Sequence, residues 1–225
     1  MDFLRIVRSL EELLYEVMTW LVFYPKTMWR IVAQPTRMMR YSDAEQGDTP
    51  DEQYTDTLSP PLFLMLTILI AHGIGLALGV KKLEGATDTA RALFASDQNL
   101  LMFRSLFFSL FALVGATTVV GRRGLAIDRK TLRGPFYSQC YLTAPFALAT
   151  SVAIALSNTT MRGAGAAAAA LALVGIAWYL WVETGWCGLE LGVGPGRAVG
   201  IALWSFLKAL FFGAVVLAML AALIM

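Results

Sequence analysis

Charged residues are scarce in this 225-residue sequence, and so are cysteine and histidine. Only 15% of the residues are charged and 57% are hydrophobic, with a mean hydropathy of +0.63, a composition that excludes an ordinary soluble domain. The two cysteines, Cys140 and Cys187, form no disulfide framework, and the single histidine, His72, has no companions for a metal site. We therefore expect neither a metal nor any other cofactor.

Motifs that carry enzymatic chemistry are also missing. The sequence contains no HExxH metalloprotease motif, no GxSxG nucleophile elbow and no phosphate-binding P-loop. The stretch GLELGVGPGRA is rich in glycine, but it includes Pro195 and joins two apolar segments, so it predicts a turn and not a dinucleotide site. Glu183 and Glu190 lie at or beyond an aromatic belt and are expected to stay in contact with water. We expect neither enzymatic activity nor a nucleic-acid partner.

Long apolar runs dominate the rest of the chain. The first covers residues 61–80 without a Lys, Arg, Asp or Glu, and a helix of that length, about 30 Å, spans the core of a bilayer. Further runs follow at residues 99–121, 135–156, 163–182 and 198–225. The predicted fold class is therefore all-α: a polytopic integral membrane protein whose five transmembrane helices are preceded by N-terminal amphipathic interfacial helices.

The first 41 residues follow a different pattern. Between residues 3 and 24, apolar side chains recur on one helical face and charged ones lie largely opposite, which is typical of a helix that lies on a surface. Pro25 is expected to interrupt this helix, and the next stretch mixes basic with aromatic and apolar residues, which suits an anionic membrane surface. The residues predicted to bind the lipid surface are Arg5, Arg8, Lys26, Trp29, Arg30, Arg37 and Arg40. The equally weighted alternative is that these helices pack against the protein's own spans.

The charge changes sign after residue 41. Residues 42–60 contain six acidic residues and no basic one, a composition that predicts a solvated linker. The chain therefore divides into an amphipathic basic interfacial segment (1–41), an acidic linker (42–60) and a five-helix transmembrane domain (61–225). Twelve Lys and Arg residues flank the spans on the N-terminal side of the membrane and four on the other. This asymmetry predicts a cytoplasmic N-terminus and an outward C-terminus.

Three ionisable residues fall inside the predicted spans, namely His72, Arg104 and Lys208. Because charges inside a bilayer are costly, such residues are candidates for function. His72 either relays protons or donates an interhelical hydrogen bond, and no carboxylate in the spans is expected to take a proton from it. Arg104 is expected to reach headgroups, pair with an acid or contact a substrate, and Lys208 to extend to the cytoplasmic interface.

Three stretches share their layout with a known family. They are FYPKTMWRIV with Pro25, FYSQCYLTAPF with Tyr137, Tyr141 and Pro145, and the passage from the Trp178–Trp181 belt through the glycine-rich turn to Arg197. With the five spans, they resemble the Yip family, five-span proteins named for interacting with Ypt/Rab GTPases, and in particular its bacterial branch, which is sometimes labelled permease. The Asp-Leu-x-Gly-Pro motif of eukaryotic members is absent, which weakens the expectation of a Rab-type partner.

The resemblance and the sequence pattern lead to two functional hypotheses. The first is a non-enzymatic protein of the bacterial inner membrane that acts as a membrane scaffold or organiser, or recruits a partner. The alternative is a small-solute permease or transporter component with a pathway through His72 and Arg104. The expected partners are membrane lipids, together with further copies of the chain or another membrane protein.

Overall fold

The computed structural model describes residues 2–49, 52–78 and 96–224, with the side chains of residues 7–49, 52–78 and 96–220. This part of the chain is helical and contains no strand. Its helices are α1 (Asp2–Ala33), α2 (Pro35–Glu45), α3 (Pro60–Ala77), α4 (Asp97–Arg122), α5 (Arg129–Ser157), α6 (Ala164–Leu191) and α7 (Pro195–Ile224). Helices α3 to α7 are each long and apolar enough to cross a membrane, which confirms the predicted all-α membrane class.

Local sequence explains where several of these helices begin and end. Asp128 caps α5, because its Oδ1 accepts hydrogen bonds from the backbone N–H groups of Lys130 (2.8 Å) and Thr131 (2.9 Å). The bonds from Thr131 and Lys130 lower the pKa of the exposed Asp128 carboxyl. At the end of α6, Gly192 takes a left-handed φ of 59°, and Pro195 opens α7. The predicted glycine-rich turn is thereby confirmed.

Helix α5 lies at the centre of the membrane domain. It packs against α3, α4 and α6, while α7 packs against α4 and α6. Halfway along the bundle, aromatic rings from four helices contact one another with centroid separations of 4.9 to 6.1 Å. These rings, which we call the aromatic layer, belong to Phe108, Phe111, Phe146, Tyr179 and Phe206. They fill the middle of the bundle with apolar material.

One end of the bundle collects many of the basic residues. The chain turns there between α4 and α5 and again between α6 and α7, and an ion pair between Arg123 and Glu190 joins the two turns. Helix α2 packs against the beginning of α5, where the Ser138 hydroxyl lies 3.0 Å from both the Met39 carbonyl oxygen and Oδ1 of Asp43. We call this region the basic end. Its basic side chains are Arg122, Arg123, Arg129, Lys130, Arg133 and Arg197.

The prediction that Pro25 interrupts the first helix is wrong. Helix α1 continues through Pro25 as far as Ala33. A proline inside a helix removes the hydrogen bond to the carbonyl group four residues earlier, here that of Leu21. Both residues are exposed, Leu21 to 68%. The Leu21 carbonyl group therefore lies on the outside of the helix, where another hydrogen-bond donor can replace the missing N–H group. The break comes later, at Gln34, before α2.

The prediction of a solvated linker at residues 42–60 is also wrong at both ends. Residues 42–45 belong to α2, where Ser42 is buried, and the second half of the segment packs on the bundle. Tyr54 and Leu58 are buried, and the Tyr141 hydroxyl of α5 donates a 2.6 Å hydrogen bond to the Leu58 carbonyl oxygen. The Leu58 N–H donates in turn to Oγ1 of Thr27 in α1, at 3.2 Å. Residues 52–58, which we call the strap, therefore tie α1 to α5.

Candidate functional site

The first half of α1 stands out because it is exposed on every face. All side chains from residue 7 to residue 18 are exposed. The exposed apolar side chains that share one face of the helix are Val7, Leu10, Leu14, Val17 and Leu21. Glu12 and Glu16 lie on the opposite face. A helix with this distribution is typical of segments that enter the lipid interface with their apolar side.

The second half of α1 packs on the bundle. The Tyr24 ring lies 5.3 Å from the ring of Phe63 in α3, and Thr27 and Ile31 are buried. From Trp20 onward, side chains of α1 contact the hydrophobic core. The alternative in which the N-terminal helices pack against the protein's own spans therefore holds for the second half of α1. The first half is exposed, and its binding to lipid stays a prediction.

The residues predicted to bind lipid surround this junction. Arg8, Lys26, Trp29, Arg37 and Arg40 are exposed, and Arg30 is partly buried. The side chain of Arg5 lies outside the described residues. Trp29 is 73% exposed, which is typical of an indole that anchors at a membrane interface. A cleft of about 420 Å³ lies beside it, with Arg30 and Arg37 in its walls.

Asp56 of the strap compensates part of this basic charge. Its Oδ2 lies 2.6 Å from Nη1 of Arg30 and 3.9 Å from Nζ of Lys26, and its Oδ1 accepts a 2.9 Å hydrogen bond from the Tyr41 hydroxyl. Burial opposes ionisation of Asp56, but the bonds from Arg30 and Tyr41 outweigh burial and lower the pKa of the carboxyl. In the described part of the chain, the predicted lipid-binding cations without an ion pair are Arg8, Arg37 and Arg40.

The structure does not bring the three predicted intramembrane residues into one site. His72 is partly buried, and its Nδ1 has no hydrogen-bond partner among the described residues, so the expected interhelical bond is not found at this atom. Arg104 is 8% exposed, and its Nη1 is likewise without a described partner. The Lys208 ammonium lies 5.5 Å from the centroid of the Trp204 ring. Because Phe206 belongs to the aromatic layer, Lys208 lies deeper along the bundle than the sequence predicted.

Another ionisable group lies inside the bundle, and it corrects a sequence-based expectation. Glu183 is 0% exposed, although its place beside an aromatic belt predicted contact with water. Helix α6 continues as far as Leu191, which lies about 12 Å of helix beyond Glu183. The carboxyl group is therefore well inside the helix and inside the bundle. The expectation that Glu183 stays in contact with water is therefore wrong, and a helix able to span a membrane does contain a carboxyl group.

The main partner of this carboxyl group is Gln139 of α5. Nε2 of Gln139 donates a 2.7 Å hydrogen bond to Oε2 of Glu183. The Cys187 thiol, one turn along α6, donates to Oε1 of Glu183 at 3.7 Å. Gln139 is itself 0% exposed, and its Oε1 has no partner among the described residues. The result is a polar pair enclosed by the helices.

Gly115 of α4 makes room for this pair. A Cβ at Gly115 would lie 2.6 Å from both Cδ and Oε1 of Gln139, closer than such atoms approach in proteins. A residue with a side chain at this position would have to displace the Gln139 amide. Three helices therefore build the site: α4 supplies the space, α5 the amide, and α6 the carboxyl group.

Sequence reasoning missed this pair although a signal was present. The stretch from Gly185 to Leu189, which follows Glu183, returns to apolar and small residues. A charged residue with apolar sequence on both sides is a candidate for burial within a span. The tryptophans before it favoured a membrane interface instead, and the predicted span was ended at Val182.

Comparison with known proteins does not assign the chain to a family. No protein-family model matches it, and neither a curated protein nor a solved structure is significantly similar to it. The resemblance to the Yip family stays a prediction. The described part of the chain is helical, with five helices long and apolar enough to span a membrane, an exposed first half of α1 and a buried Gln139–Glu183 pair.

Proposed function

We propose that this protein is a non-enzymatic organiser of the bacterial inner membrane, in which five spans hold the amphipathic helix α1 on the anionic cytoplasmic surface. The observation that carries the proposal is the first half of α1, whose side chains are exposed on every face from residue 7 to residue 18. Full burial of a large apolar side chain is worth about 1.5 to 3 kcal/mol. A lipid surface offers the apolar face of α1 a large part of that gain.

The attachment of α1 supports its placement at the membrane surface. Thr27 accepts a hydrogen bond from the N–H of Leu58, and Leu58 lies two residues before the start of α3 at Pro60. Because α3 is one of the spans, this bond fixes α1 at the level where the chain enters the membrane. The Tyr24 and Phe63 rings, 5.3 Å apart, make a second attachment one turn into α3.

Charge supports the same placement. The basic end carries Lys and Arg residues in and beside the turn between α4 and α5, and Arg197 in the first turn of α7. Cytoplasmic ends of membrane proteins are enriched in these residues. Arg8, Arg37 and Arg40 are exposed and free of ion pairs with other described residues. Each cation near an anionic surface contributes about 1 kcal/mol. Lys26 and Arg30 contribute less, because Asp56 already compensates them.

Two variants of the protein, each with one introduced cysteine, test the proposal. Leu14→Cys places a thiol on the apolar face of α1, and Glu12→Cys places one on the opposite face as the matched control. The native Cys140 and Cys187 are both 0% exposed, so a polarity-sensitive fluorophore labels the introduced thiol selectively. In bilayers with anionic lipid, the probe at position 14 should report an apolar environment and the probe at position 12 an aqueous one. Added salt should weaken the difference.

The same measurement can contradict the proposal in two ways. Equal spectra at both positions in neutral and anionic bilayers would show that α1 does not lie on lipid. An apolar signal at position 14 that follows the protein density in the bilayer, and not the lipid charge, would show that α1 docks on a second copy of the chain.

The permease alternative has no comparable structural feature. The three described cavities are lined by residues other than His72, Arg104 and Lys208. The aromatic layer also occupies the middle of the bundle, where a pathway between helices would pass. We therefore place the function at the membrane surface.

A further inference from the structure

The proposed surface role makes no use of Glu183, the most enclosed carboxyl group that the structure describes. Glu183 and Gln139 are both 0% exposed. In the described part of the chain, no Lys, Arg or His side chain forms an ion pair with Glu183. A carboxylate without a cationic partner in apolar surroundings is costly, and a neutral carboxylic acid is not. The site therefore favours a carboxyl group that carries a proton.

The amide of Gln139 can serve both charge states of this carboxyl group. Its Nε2 donates to Oε2 of Glu183 at 2.7 Å, as an ionised carboxylate requires. Its Oε1 is a buried acceptor without a described partner. Rotation of the amide by half a turn places Oε1 where it accepts the O–H of the protonated acid. The pair can thus hold or release a proton without breaking the helix packing around it.

The space around the pair fits a proton better than a metal ion. A single added carbon at Gly115 would already collide with the Gln139 amide, and the three described cavities are lined by other residues. The described residues also contain no group of three or more His, Cys, Asp or Glu side chains that could hold a metal ion. A proton needs no such cavity or ligand set.

The aromatic layer makes the site one-sided. Tyr179, one turn before Glu183 on α6, is part of that layer, and its ring centroid lies 4.9 Å from that of Phe146. Cys187, one turn after Glu183, lies on the side of the basic end and packs against Val119 and Ala198. Of the two ends of the bundle, the basic end is therefore the nearer source of water.

Helix α6 and each helix packed against it carry other titratable or charged groups. They are Tyr179 and Cys187 on α6 itself, Cys140 on α5, Arg122 and Arg123 on α4, Asp43 on α2, and Arg197 and Lys208 on α7. Of these, Cys187 contacts the Glu183 carboxyl group. Arg123 is engaged by Glu190, and Asp43 by Ser138. Arg197 is exposed, and Lys208 lies over Trp204.

We propose that Glu183 is a proton-binding site inside the membrane domain, loaded from water at the basic end and held by Gln139 in both charge states. In the binding step, a proton from water forms an O–H bond with the Glu183 carboxylate, and no other covalent bond changes. The Gln139 amide then turns from donor to acceptor. Release runs in the opposite direction.

Infrared difference spectroscopy of the full-length protein in lipid bilayers tests this site. The wild-type spectrum at mildly acidic pH should contain the C=O stretching band of a neutral carboxylic acid, and this band should disappear reversibly at mildly alkaline pH. It should be lost in Glu183→Gln and retained in Glu190→Gln, the matched control on the same helix. Isotope labelling of glutamate should shift the band and so assign it to a glutamate, while the two substitutions identify which one.

Gln139→Leu keeps the test decisive if Glu183→Gln does not fold. This variant removes the donor that supports the ionised form, so the neutral-acid band should persist to a more alkaline pH by about one to two pH units. A glutamate signal that stays ionised, or stays neutral, at every pH tested would overturn the proposal. So would a neutral-acid band whose position and pH dependence are the same in Gln139→Leu as in the wild type.

Discussion

Gly115→Ala is the substitution with the most sharply defined expected effect. The new Cβ would lie 2.6 Å from Cδ and Oε1 of Gln139 and 3.1 Å from its Cγ. The Gln139 side chain is 0% exposed and cannot move out into solvent. Its Nε2 is hydrogen-bonded to Glu183 at 2.7 Å. The alanine therefore forces the amide away from the carboxyl group.

The size of the effect follows from three contributions. Overfilling a packed interior costs about 1 to 3 kcal/mol, and loss of one hydrogen bond costs about 0.5 to 1.5 kcal/mol. Replacement of glycine by alanine in a helix returns up to about 1 kcal/mol. We therefore expect Gly115→Ala to lower the free energy of unfolding by about 1 to 3 kcal/mol.

The matched control is Gly121→Ala, six residues further along α4. A Cβ at Gly121 would meet nothing within 4 Å, so this variant keeps only the helix-propensity gain and should be neutral or slightly stabilising. The assay is reversible unfolding in mixed detergent micelles, followed by tryptophan fluorescence. The two alanine variants of one helix should thus differ in the sign of their effect.

A double-mutant cycle identifies the cause. In a Gln139→Ala background the amide is absent, so Gly115→Ala should lose most of its cost and the two substitutions should not be additive. An equal cost in both backgrounds would refute the reasoning, because the collision with Gln139 would then not be its source. So would a Gly115→Ala variant as stable as Gly121→Ala.

Three further predictions concern other parts of the molecule. Asp56→Asn should lower the free energy of unfolding at neutral pH by up to about 1 kcal/mol, since Arg30 and Asp56 are partly exposed. The folded-state pKa of Asp56 is lowered, so this stabilisation is present above about pH 4 and is lost as pH falls through the folded-state pKa. Unfolding of wild type and variant as a function of pH measures the difference. His72→Gln should change the free energy of unfolding by less than about 0.6 kcal/mol, because Nδ1 has no described partner. Reporter fusions after Arg129 and Arg162 should give cytoplasmic and external signals, respectively.

A specific outcome would contradict each of these predictions. A pH dependence of unfolding that is unchanged in Asp56→Asn would show that the bond to Arg30 does not couple to stability. A large loss of stability in His72→Gln would place a partner on His72. A cytoplasmic signal after Arg162 would reverse the predicted orientation.

The spans could be predicted from the sequence because the bilayer imposes a simple requirement. Twenty apolar residues without a charge, as at 61–80, have few other uses in a protein. Helix ends were harder to predict, since they depend on single residues. Gly192, with its left-handed φ, ends α6, whereas the tryptophans before Glu183 suggested an earlier end.

The strap could not be predicted because its causes are distant in sequence. The hydrogen bond from Tyr141 to Leu58 joins residues 83 positions apart. The acidic composition around Asp56 is locally the same as that of a solvated linker, and only the arrangement of Arg30 and Tyr41 distinguishes the two. The Gln139–Glu183 pair was missed for the same reason, since neither residue indicates its partner.

The strap has a consequence for how neighbouring proteins are spaced in the membrane. Because residues 52–58 attach the second half of α1 to the bundle, the part of the helix before Trp20 extends as a rod about 27 Å long. With α1 on the lipid surface as proposed, this rod occupies one side of the molecule and keeps other membrane proteins at about that distance there. Close approach of neighbours is thereby limited on that side, so crowding around the protein becomes directional.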